Sequence, residues 1–431
     1  MMKNARITAV QALARLHTAN AYSNLVLEPM IKQNGLSARD GAFASALFYG
    51  VLERQLTLDY ILRQHSSQKL EKLSPVVLET LRLGIYQLLY MDGVDDYAAV
   101  SESVELVKKL GVFKASGFVN AVLRSFLRDE KRILPVKGNI TAQWEVEYSC
   151  PGWLIDAWRK AYGDQAAKRL LASSLGKPPV YLRVNTLKTT PEKLKILLEE
   201  QGVVGEICGE LKNCIEVLGR INVEELPSFK EGLFHVQDKS SQLCAQALQA
   251  QPGQRTLDVC CAPGGKTFTI AQLMENRGEI LARDLHEKRA GLVEKGAQRL
   301  GITIVKAGAG DAAVYEPALG KFDRVLCDVP CSGFGIIRRK PEIKYKSPQM
   351  VENLPEIQYK ILKTSSQYLK EDGILVYSTC TLLPQENERV VERFLREQPQ
   401  FQLEFQKSFI GEKMDTDGFF VARLKKAGGK E

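Results

Sequence analysis

The chain has 431 residues, a length that corresponds to two or three domains. Its composition, 45% hydrophobic and 26% charged, is ordinary for a globular protein and excludes collagen-like, disordered and disulfide-stapled chains. Lys and Arg number 59 and Asp and Glu 51, so the net charge is +8. This basic balance favours a polyanionic partner.

The sequence carries no signal for a membrane, a secretion route or a metal. No run of about 18 apolar residues occurs, and the first ten residues show no apolar core of a signal peptide. The nine cysteines lack a C-x-x-C spacing and the four histidines an H-x-x-x-H spacing, so we expect no metal site. An odd number of cysteines without a secretion signal indicates reduced thiols and a cytoplasmic location. No exposed heptad run is found, and we expect a monomer.

Residues 1–138 are predicted to form an all-α domain. Apolar residues recur three and four apart in Ile7–Leu16 and Ser101–Leu110, which is typical of helices with one buried face. Pro75 is expected to open a helix with Ser74 as its N-cap. The domain carries 18 Lys and Arg against 13 Asp and Glu. Its last predicted helix includes four basic residues, which form either a polyanion contact or a solvated face: Arg124, Arg128, Lys131 and Arg132.

Residues 139–231 are predicted to form a small mixed α/β region. The stretch 135–151 reads as a linker, because Gly138 and Asn139 interrupt any helix there. Val180–Val184 and Cys214–Leu218 are predicted strands, and Pro191–Gln201 is a predicted helix.

Residues 232–431 show strands that alternate with helices, a pattern that predicts a mostly parallel sheet. Ligands of such sheets bind beyond the carboxyl ends of the strands. The predicted strands are Thr256–Cys260, Glu279–Asp284, Ile302–Lys306, Phe322–Asp328, Gly373–Ser378, Phe401–Phe405 and Phe419–Leu424. The predicted helices are Thr267–Asn276, His286–Leu300, Val351–Leu369 and Glu386–Glu397.

The first of these strands runs into a glycine turn that opens a helix. Its residues are Cys260, Cys261, Ala262, Pro263, Gly264, Gly265 and Lys266. Glycines permit a close backbone approach, and the N–H groups of a helix start can face a ligand. A phosphate-binding Walker A loop would need glycine where Cys260 stands, so the Gly-Gly-Lys-Thr run does not indicate an ATPase. The alternative is an ordinary turn between strand and helix.

Each of the next two strands ends close to an acid. Asp284 ends the second strand and Asp311 follows the third, and either acid alone could be a turn or cap residue. An acid after the second strand suits ribose hydroxyls, and one after the third suits an adenine amine. With the glycine turn, this order favours an adenosine-binding site.

Two cysteines follow later strands at the same predicted edge. Cys331 lies in Asp328-Val329-Pro330-Cys331-Ser332-Gly333, and Cys380 lies in Ser378-Thr379-Cys380. A free cysteine is usually a small buried hydrophobic residue. The position of these two favours a catalytic role, because a thiolate is a strong and weakly basic nucleophile that can add to an electron-poor ring carbon.

These motifs make the sequence resemble the RNA cytosine-C5 methyltransferases of the RsmB (Fmu, Sun) family. Further matching pieces are Arg183-Val184-Asn185, Val236-Gln237-Asp238 with Ser240-Ser241-Gln242, Arg338-Arg339-Lys340-Pro341, Glu386-Asn387-Glu388 and Asp417-Gly418-Phe419-Phe420. The resemblance covers residues 180–425 in order, and the helical first part resembles a NusB-type RNA-binding domain. It implies a NusB-like domain (1–138), a small mixed RNA-binding or linker subdomain (139–231) and a Rossmann-like methyltransferase domain (232–431).

The resemblance also implies the activity and the residues that perform it. The cofactor is S-adenosylmethionine, the partner is small-subunit rRNA, and the family target is cytosine 967 of 16S rRNA. Cys380 is the implied nucleophile, Cys331 assists elimination and product release, and Asp328 contacts both the cofactor and the cytosine N3/N4 edge. Residues Cys260–Lys266 would hold the methionine end of the cofactor, Asp284 the ribose and Asp311 the adenine. Lys266 could alternatively be a solvent-facing lysine.

Basic residues are the candidate RNA contacts. Arg338, Arg339 and Lys340 follow the Cys331 motif closely and are expected beside the crevice, with a solvated loop as the alternative. Arg124 and Arg128 are candidates on the first domain. Two rival functions remain open from the sequence: a cytosine-C5 methyltransferase of transfer RNA or of another rRNA site, and a non-catalytic RNA-binding factor for ribosome assembly.

Overall fold

The structure is a computed structural model that describes residues 4–19, 23–219, 221–410 and 415–427. The chain forms two compact units. Unit 1 comprises residues 1–175 and 337–346, and unit 2 comprises residues 176–336 and 347–431. In the described part of the chain, no helix combines the length and the apolar character needed to cross a membrane.

Unit 1 is helical, as predicted. Its helices are α1 (Ala5–Ala19), α2 (Ser23–Gln33), α3 (Ala38–His65), α4 (Pro75–Tyr90), α5 (Asp96–Lys109), α6 (Ser116–Arg128), α7 (Ile140–Glu147) and α8 (Gly152–Ser173). The apolar faces of α1 to α6 share one core, to which Leu13, Phe48 and Phe126 contribute. The periodic apolar residues in the sequence therefore do mark buried helix faces.

Some helix boundaries in unit 1 differ from those predicted. Pro75 does open α4 and Ser74 stands at its N-cap position, but the Ser74 side chain makes no capping hydrogen bond. The predicted linker 135–151 contains α7, because the Asn139 side chain caps it by accepting from the Ala142 N–H at 3.0 Å. Lys131 and Arg132 are not on the last of the predicted helices, since α6 ends at Arg128.

A buried ion cluster joins α3 and α4. The Arg82 guanidinium donates to both carboxylate oxygens of Asp59, at 2.7 and 2.8 Å, and to Glu79 at 2.5 Å. All three side chains are buried. Burial opposes the charge on Arg82, but the two acids outweigh it and raise the Arg82 pKa above its usual value.

Replacement of Arg82 by methionine is therefore expected to lower the stability of the protein by about 3–5 kcal/mol, because two carboxylates are left buried without their cation. Chemical denaturation followed by circular dichroism measures this change. The matched control is Arg63→Met on α3, whose ion pair with Glu71 is exposed and should contribute less than about 1 kcal/mol. Equal effects of the two substitutions would contradict the prediction.

A segment from far along the chain completes unit 1. Residues 337–346 belong to this unit although the chain on either side of them lies in unit 2. Lys344 Nζ donates to the Glu53 carbonyl at 2.5 Å, and the Tyr345 hydroxyl donates to the Leu52 carbonyl at 2.6 Å. Burial lowers the pKa of Lys344 to about 8. No pattern in the sequence predicts that these residues belong to unit 1.

Unit 2 begins with a small antiparallel sheet. Its strands are β1 (Val180–Val184), β2 (Val204–Ile207), β3 (Cys214–Leu218) and β4 (Phe234–Val236), in the order β2-β3-β1-β4, with helices α9 (Pro191–Glu200) and α10 (Pro227–Lys230). The predicted β1, α9 and β3 are confirmed. The two further strands are short, and α8 was missed in the mixed region before them.

A seven-stranded sheet follows in unit 2. Its strands are β5 (Arg255–Asp258), β6 (Glu279–Asp284), β7 (Val305–Ala309), β8 (Phe322–Asp328), β9 (Leu369–Thr379), β10 (Phe401–Phe409) and β11 (Phe419–Lys426), and its order is β10-β11-β9-β8-β5-β6-β7. Helices α11 (Lys239–Ala247), α12 (Gly265–Leu273), α13 (Glu287–Leu300), α14 (Leu354–Ser366) and α15 (Glu388–Glu397) accompany it.

The central strands of this sheet are parallel, as predicted from the alternation of strands and helices. Strands β5 to β9 pair in parallel, whereas β11 pairs antiparallel with both β9 and β10. The third predicted strand, Ile302–Lys306, begins three residues too early, because β7 starts at Val305. The carboxyl ends of five parallel strands consequently lie along one edge.

Candidate active site

The glycine turn lies between β5 and α12 and has the shape that a close ligand requires. Gly264 is the N-cap of α12 and has φ 110°, a left-handed conformation that side chains rarely adopt. A Cβ at Gly264 would meet the Phe268 ring at 2.3 Å. Because the first N–H groups of a helix have no partner within it, the start of α12 offers donors to a ligand.

Asp258 links the end of β5 to the start of α12 on the two sides of this turn. It is buried at the end of β5, and its Oδ2 accepts from the Thr267 hydroxyl on α12 at 2.7 Å. Burial raises the pKa of Asp258 to about 7. The folded protein therefore holds a proton on this carboxyl that the unfolded chain releases above pH ~4.

This proton makes the stability depend on pH. Between pH ~4 and 7 the folded state binds more protons at Asp258 than the unfolded state, so its contribution to the free energy of unfolding falls as the pH rises. The Asp258→Asn variant has no titrating group at this position. We therefore expect its free energy of unfolding to decrease less with pH than that of the wild type, and we expect the variant to be the more stable protein above pH 7. Urea unfolding at pH 5 and pH 8 measures the difference. An identical pH slope in both proteins would contradict the assignment.

The two acids after β6 and β7 are neighbours at the sheet edge. Asp284 is buried, and its Oδ1 accepts from the His286 N–H at 3.1 Å. The carbonyl of Asp284 accepts from the Gly310 N–H at 2.9 Å, which brings the start of the next loop beside it. Asp311 follows and is exposed, with Oδ1 accepting from the Ala313 N–H at 2.9 Å.

Asp328 is held from two sides. Lys266 Nζ on α12 donates to its Oδ2 at 2.7 Å, and the Ser378 hydroxyl on β9 donates to its Oδ1 at 2.8 Å. The Lys266 ammonium also lies 4.9 Å from the centre of the Phe419 ring. Burial opposes its charge, but Asp328 together with the nearby thiols outweighs burial and raises the Lys266 pKa. Lys266 is thus an ion-paired, mostly covered residue rather than a solvent-facing lysine.

The two predicted cysteines meet beside this ion pair. Cys331 Sγ and Cys380 Sγ are 3.0 Å apart, and both cysteines are free and partly exposed. The hydrogen bond with Cys380, together with burial, raises the pKa of the Cys331 thiol well above its usual value. The ion pair is close to both cysteines along the chain, because Asp328 stands three residues before Cys331 and Ser378, which donates to Asp328, stands two residues before Cys380.

The basic candidates lie in unit 1. Arg338, Arg339 and Lys340 are half-buried within its segment 337–346. Arg124 and Arg128 are exposed on α6, where Arg124 Nε donates to Asn120. The predicted contacts of all five with RNA stay predictions.

Several residues at the site were missed by sequence reasoning. Ser378 orients Asp328, and Phe419 lies against Lys266. Glu386 is buried and accepts from the Ser332 N–H at 2.9 Å, directly after Cys331. All three lie in motifs shared with the RNA cytosine-C5 methyltransferases. The motifs indicate that these residues matter, but they do not indicate what each side chain contacts.

This edge of the sheet can hold an adenosine cofactor that carries a reactive group. The start of α12 offers N–H donors to a ligand, and Asp284 and Asp311 are carboxylates of the kind that ribose hydroxyls and an amine require. The Cys331–Cys380 thiol pair and the Lys266–Asp328 ion pair follow the ends of β8 and β9 at the same edge. Fold and site together define a methyltransferase that uses S-adenosylmethionine.

Comparison with known proteins agrees at the level of whole domains. Three family models match: the NusB family at residues 3–128, a ferredoxin-like domain of RsmF/B-like methyltransferases at 150–224, and 16S rRNA methyltransferase RsmB/F at 245–425. A probable ribosomal RNA small subunit methyltransferase B of Bacillus subtilis is 36% identical over 98% of this chain and 99% of its own length.

Solved structures share the fold. PH0851 matches with a TM-score of 0.84 at 24% identity over 99% of both chains. NSun6 from Pyrococcus horikoshii with SFG matches with a TM-score of 0.60 at 24% identity, over 65% of this chain and 99% of that one. The chain belongs to the RsmB/F family of rRNA methyltransferases. The predicted enzyme class, the Rossmann-like fold with a preceding NusB domain, and the S-adenosylmethionine cofactor are confirmed.

Proposed function

We propose that this protein methylates C5 of one cytosine in small-subunit 16S rRNA through a covalent bond between Cys380 and C6 of the base. The observation that carries the proposal is the pair of thiols 3.0 Å apart beside the Lys266–Asp328 ion pair. Cytosine C5 is too poor a nucleophile to take a methyl group unaided. A group that adds at C6 is therefore needed, and a thiolate is suited to it.

Each residue at the site has a place in this reaction. The Cys380 thiolate attacks C6 and pushes electron density onto C5, while Asp328, at the N3/N4 edge of the base, stabilises the protonated ring. S-adenosylmethionine, when bound, supplies an electrophilic methyl group on a sulfonium. After C5 is methylated it loses its proton to a base, the Cys380–C6 bond breaks, and the electron pair returns to the sulfur. Cys331 assists this elimination and the release of 5-methylcytosine.

The ion pair orients Asp328 in this scheme. Lys266 holds Oδ2 of Asp328 while Ser378 holds Oδ1, so the carboxylate enters the reaction already oriented. The target base must leave its stack to reach a thiol, which favours a loop or an opened helix end in the RNA.

The cytoplasmic location and the monomeric state of the protein stay predictions.

The proposal predicts one lost methyl group in cells that lack the protein. Mapping of 5-methylcytosine in ribosomal and transfer RNA should show a single 16S position, 967 by the family resemblance, that is methylated only when the protein is present. Wild-type protein should restore the mark, and the Cys380→Ala variant should not. A mark lost from transfer RNA would favour the first rival function. Unchanged methylation with altered ribosome assembly would favour the second.

A further inference from the structure

We propose that Gly335, Gly418 and Glu386 are positioning residues that set the gap between the Cys331 and Cys380 sulfurs. The inference rests on the proposed function for its effect on methyl transfer. Its geometric part concerns only the distance between two thiols and can be tested without RNA.

Gly335 connects three backbone segments. Its N–H donates to the Cys380 carbonyl at 2.9 Å, and its carbonyl accepts from the Gly418 N–H at 2.8 Å. The loop that carries Cys331 is therefore bonded, four residues further on, to the cysteine that faces it. Gly418 closes the arrangement from the other side, at the start of β11, the neighbour of β9 in the sheet. We call these three contacting backbone segments the glycine clasp.

The glycine clasp has no room for a side chain. A Cβ at Gly335 would lie 1.8 Å from the Gly418 carbonyl oxygen and 2.8 Å from that of Cys380. A Cβ at Gly418 would lie 2.8 Å from Gly335 Cα. Neither glycine has a positive φ. Space, rather than backbone conformation, is what requires glycine at both positions.

Glu386 holds the same loop by its other end. Its side chain is buried, and Oε2 accepts from the Ser332 N–H at 2.9 Å and from Gln358 Nε2 at 2.7 Å. Gln358 Nε2 also donates to the Pro330 carbonyl at 3.0 Å. The residues on both sides of Cys331 are thus tied to one buried carboxylate.

A direct bond joins the neighbours of the two cysteines. The Ser332 hydroxyl donates to Thr381 Oγ1 at 2.8 Å, so the residue after Cys331 is bonded to the residue after Cys380. With the glycine clasp and Glu386, the two thiols are carried on backbones that cannot shift independently. A misplacement of about 1 Å between reacting groups can cost about 100-fold in rate. The gap between the sulfurs is therefore a property that these residues control.

Substitution of Gly335 by alanine tests the proposal. We expect kcat to fall about 100-fold, while KM for S-adenosylmethionine changes less than about threefold, because the hydrogen bonds of the clasp join Gly335 to Cys380 and Gly418 and not to the glycine turn proposed to hold the cofactor. Gly291→Ala on α13 is the matched control, since a Cβ there meets no atom within 4 Å. If Gly335→Ala does not fold, Glu386→Gln tests the same gap with almost no change of volume.

A second measurement reads the gap itself. Phenylarsine oxide binds tightly only where two thiols can reach one arsenic atom. The Cys208 and Cys214 sulfurs are 3.4 Å apart and form a second possible site. Binding of the arsenical that disappears in Cys331→Ala is therefore assigned to the Cys331–Cys380 pair. We expect the affinity of this site to fall at least tenfold in Gly335→Ala or Glu386→Gln and to stay unchanged in Gly291→Ala. A variant that loses kcat with unchanged arsenical affinity overturns the proposal, as does one with weakened affinity and full kcat.

The two readouts also separate this inference from the proposed function. If the wild type transfers no methyl group to rRNA, the proposed function fails, while the arsenical comparison still decides whether these residues set the gap. If the wild type is active and the arsenical affinity of the variants is unchanged, the positioning proposal fails alone.

Discussion

Replacement of Cys380 by alanine is expected to abolish methyl transfer, with kcat reduced roughly 10⁴-fold or more, because removal of a nucleophile leaves C5 of the base unactivated. The same variant should form no covalent complex with RNA. Denaturing gel electrophoresis of labelled rRNA mixed with enzyme and S-adenosylmethionine measures the complex, and tritium transfer measures the methyl group. Tight RNA binding without either signal is the expected result.

Cys331→Ala should behave in the opposite way. If Cys331 assists elimination, the adduct at Cys380 persists in this variant and the gel shows more covalent complex than the wild type does. Cys327→Ala is the matched control, since this cysteine is buried in strand β8, which leads into the loop of Cys331, and lies four residues before Cys331. It should lower stability and leave the adduct unaffected. A complex trapped by Cys380→Ala but not by Cys331→Ala would reverse the two roles.

The Asp328→Asn substitution is expected to lower kcat about 10²–10³-fold with a smaller effect on folding. The amide keeps an oxygen for Ser378, but it removes the negative charge that pairs with Lys266 and that, in the proposed reaction, would stabilise the protonated ring. Single-turnover methylation of saturating rRNA measures the chemical step directly. The effect should appear in the rate of adduct formation as well as in methyl transfer.

Asp323 provides a control on the same strand. It is the second residue of β8 and Asp328 is the last, and it pairs with Lys370 at 2.9 Å as Asp328 pairs with Lys266. Asp323→Asn removes a similar ion pair far from the cysteines, so kcat should stay unchanged. Comparable losses in the two variants would mean that Asp328 acts through the stability of the strand rather than at the site.

The catalytic end of the sheet could be predicted because its residues are tied to strand ends. In a parallel sheet, every carboxyl end reaches the same edge, so acids and cysteines that follow successive strands must gather there. The strand ends at Asp284 and Asp328 were placed correctly, and the meeting of Cys331 with Cys380 follows from this rule together with the family resemblance. The pairing of Lys266 with Asp328 did not follow, because it depends on where the first turn of α12 lies relative to the end of β8.

Errors concentrated where a local signal was weak or a contact was distant. Helix α7 was read as a linker because the glycine before it outweighed the capping Asn139. The place of residues 337–346 in unit 1 depends on backbone carbonyls at Leu52 and Glu53, almost 300 residues earlier, and no periodic pattern encodes such a contact.

Periodicity, glycine turns and the order of motifs are local properties of a chain, and they were sufficient to predict the helical first domain, the parallel sheet and the edge of the sheet at which the candidate site residues gather. Distances between side chains are not local. The 3.0 Å gap between two sulfurs, the orientation of Asp328 by Lys266 and Ser378, and the contact of Gly335 with Gly418 each join segments separated by 40 residues or more. Such contacts arise from packing in three dimensions, where small differences in volume and hydrogen bonding select one arrangement from many that the same local pattern permits.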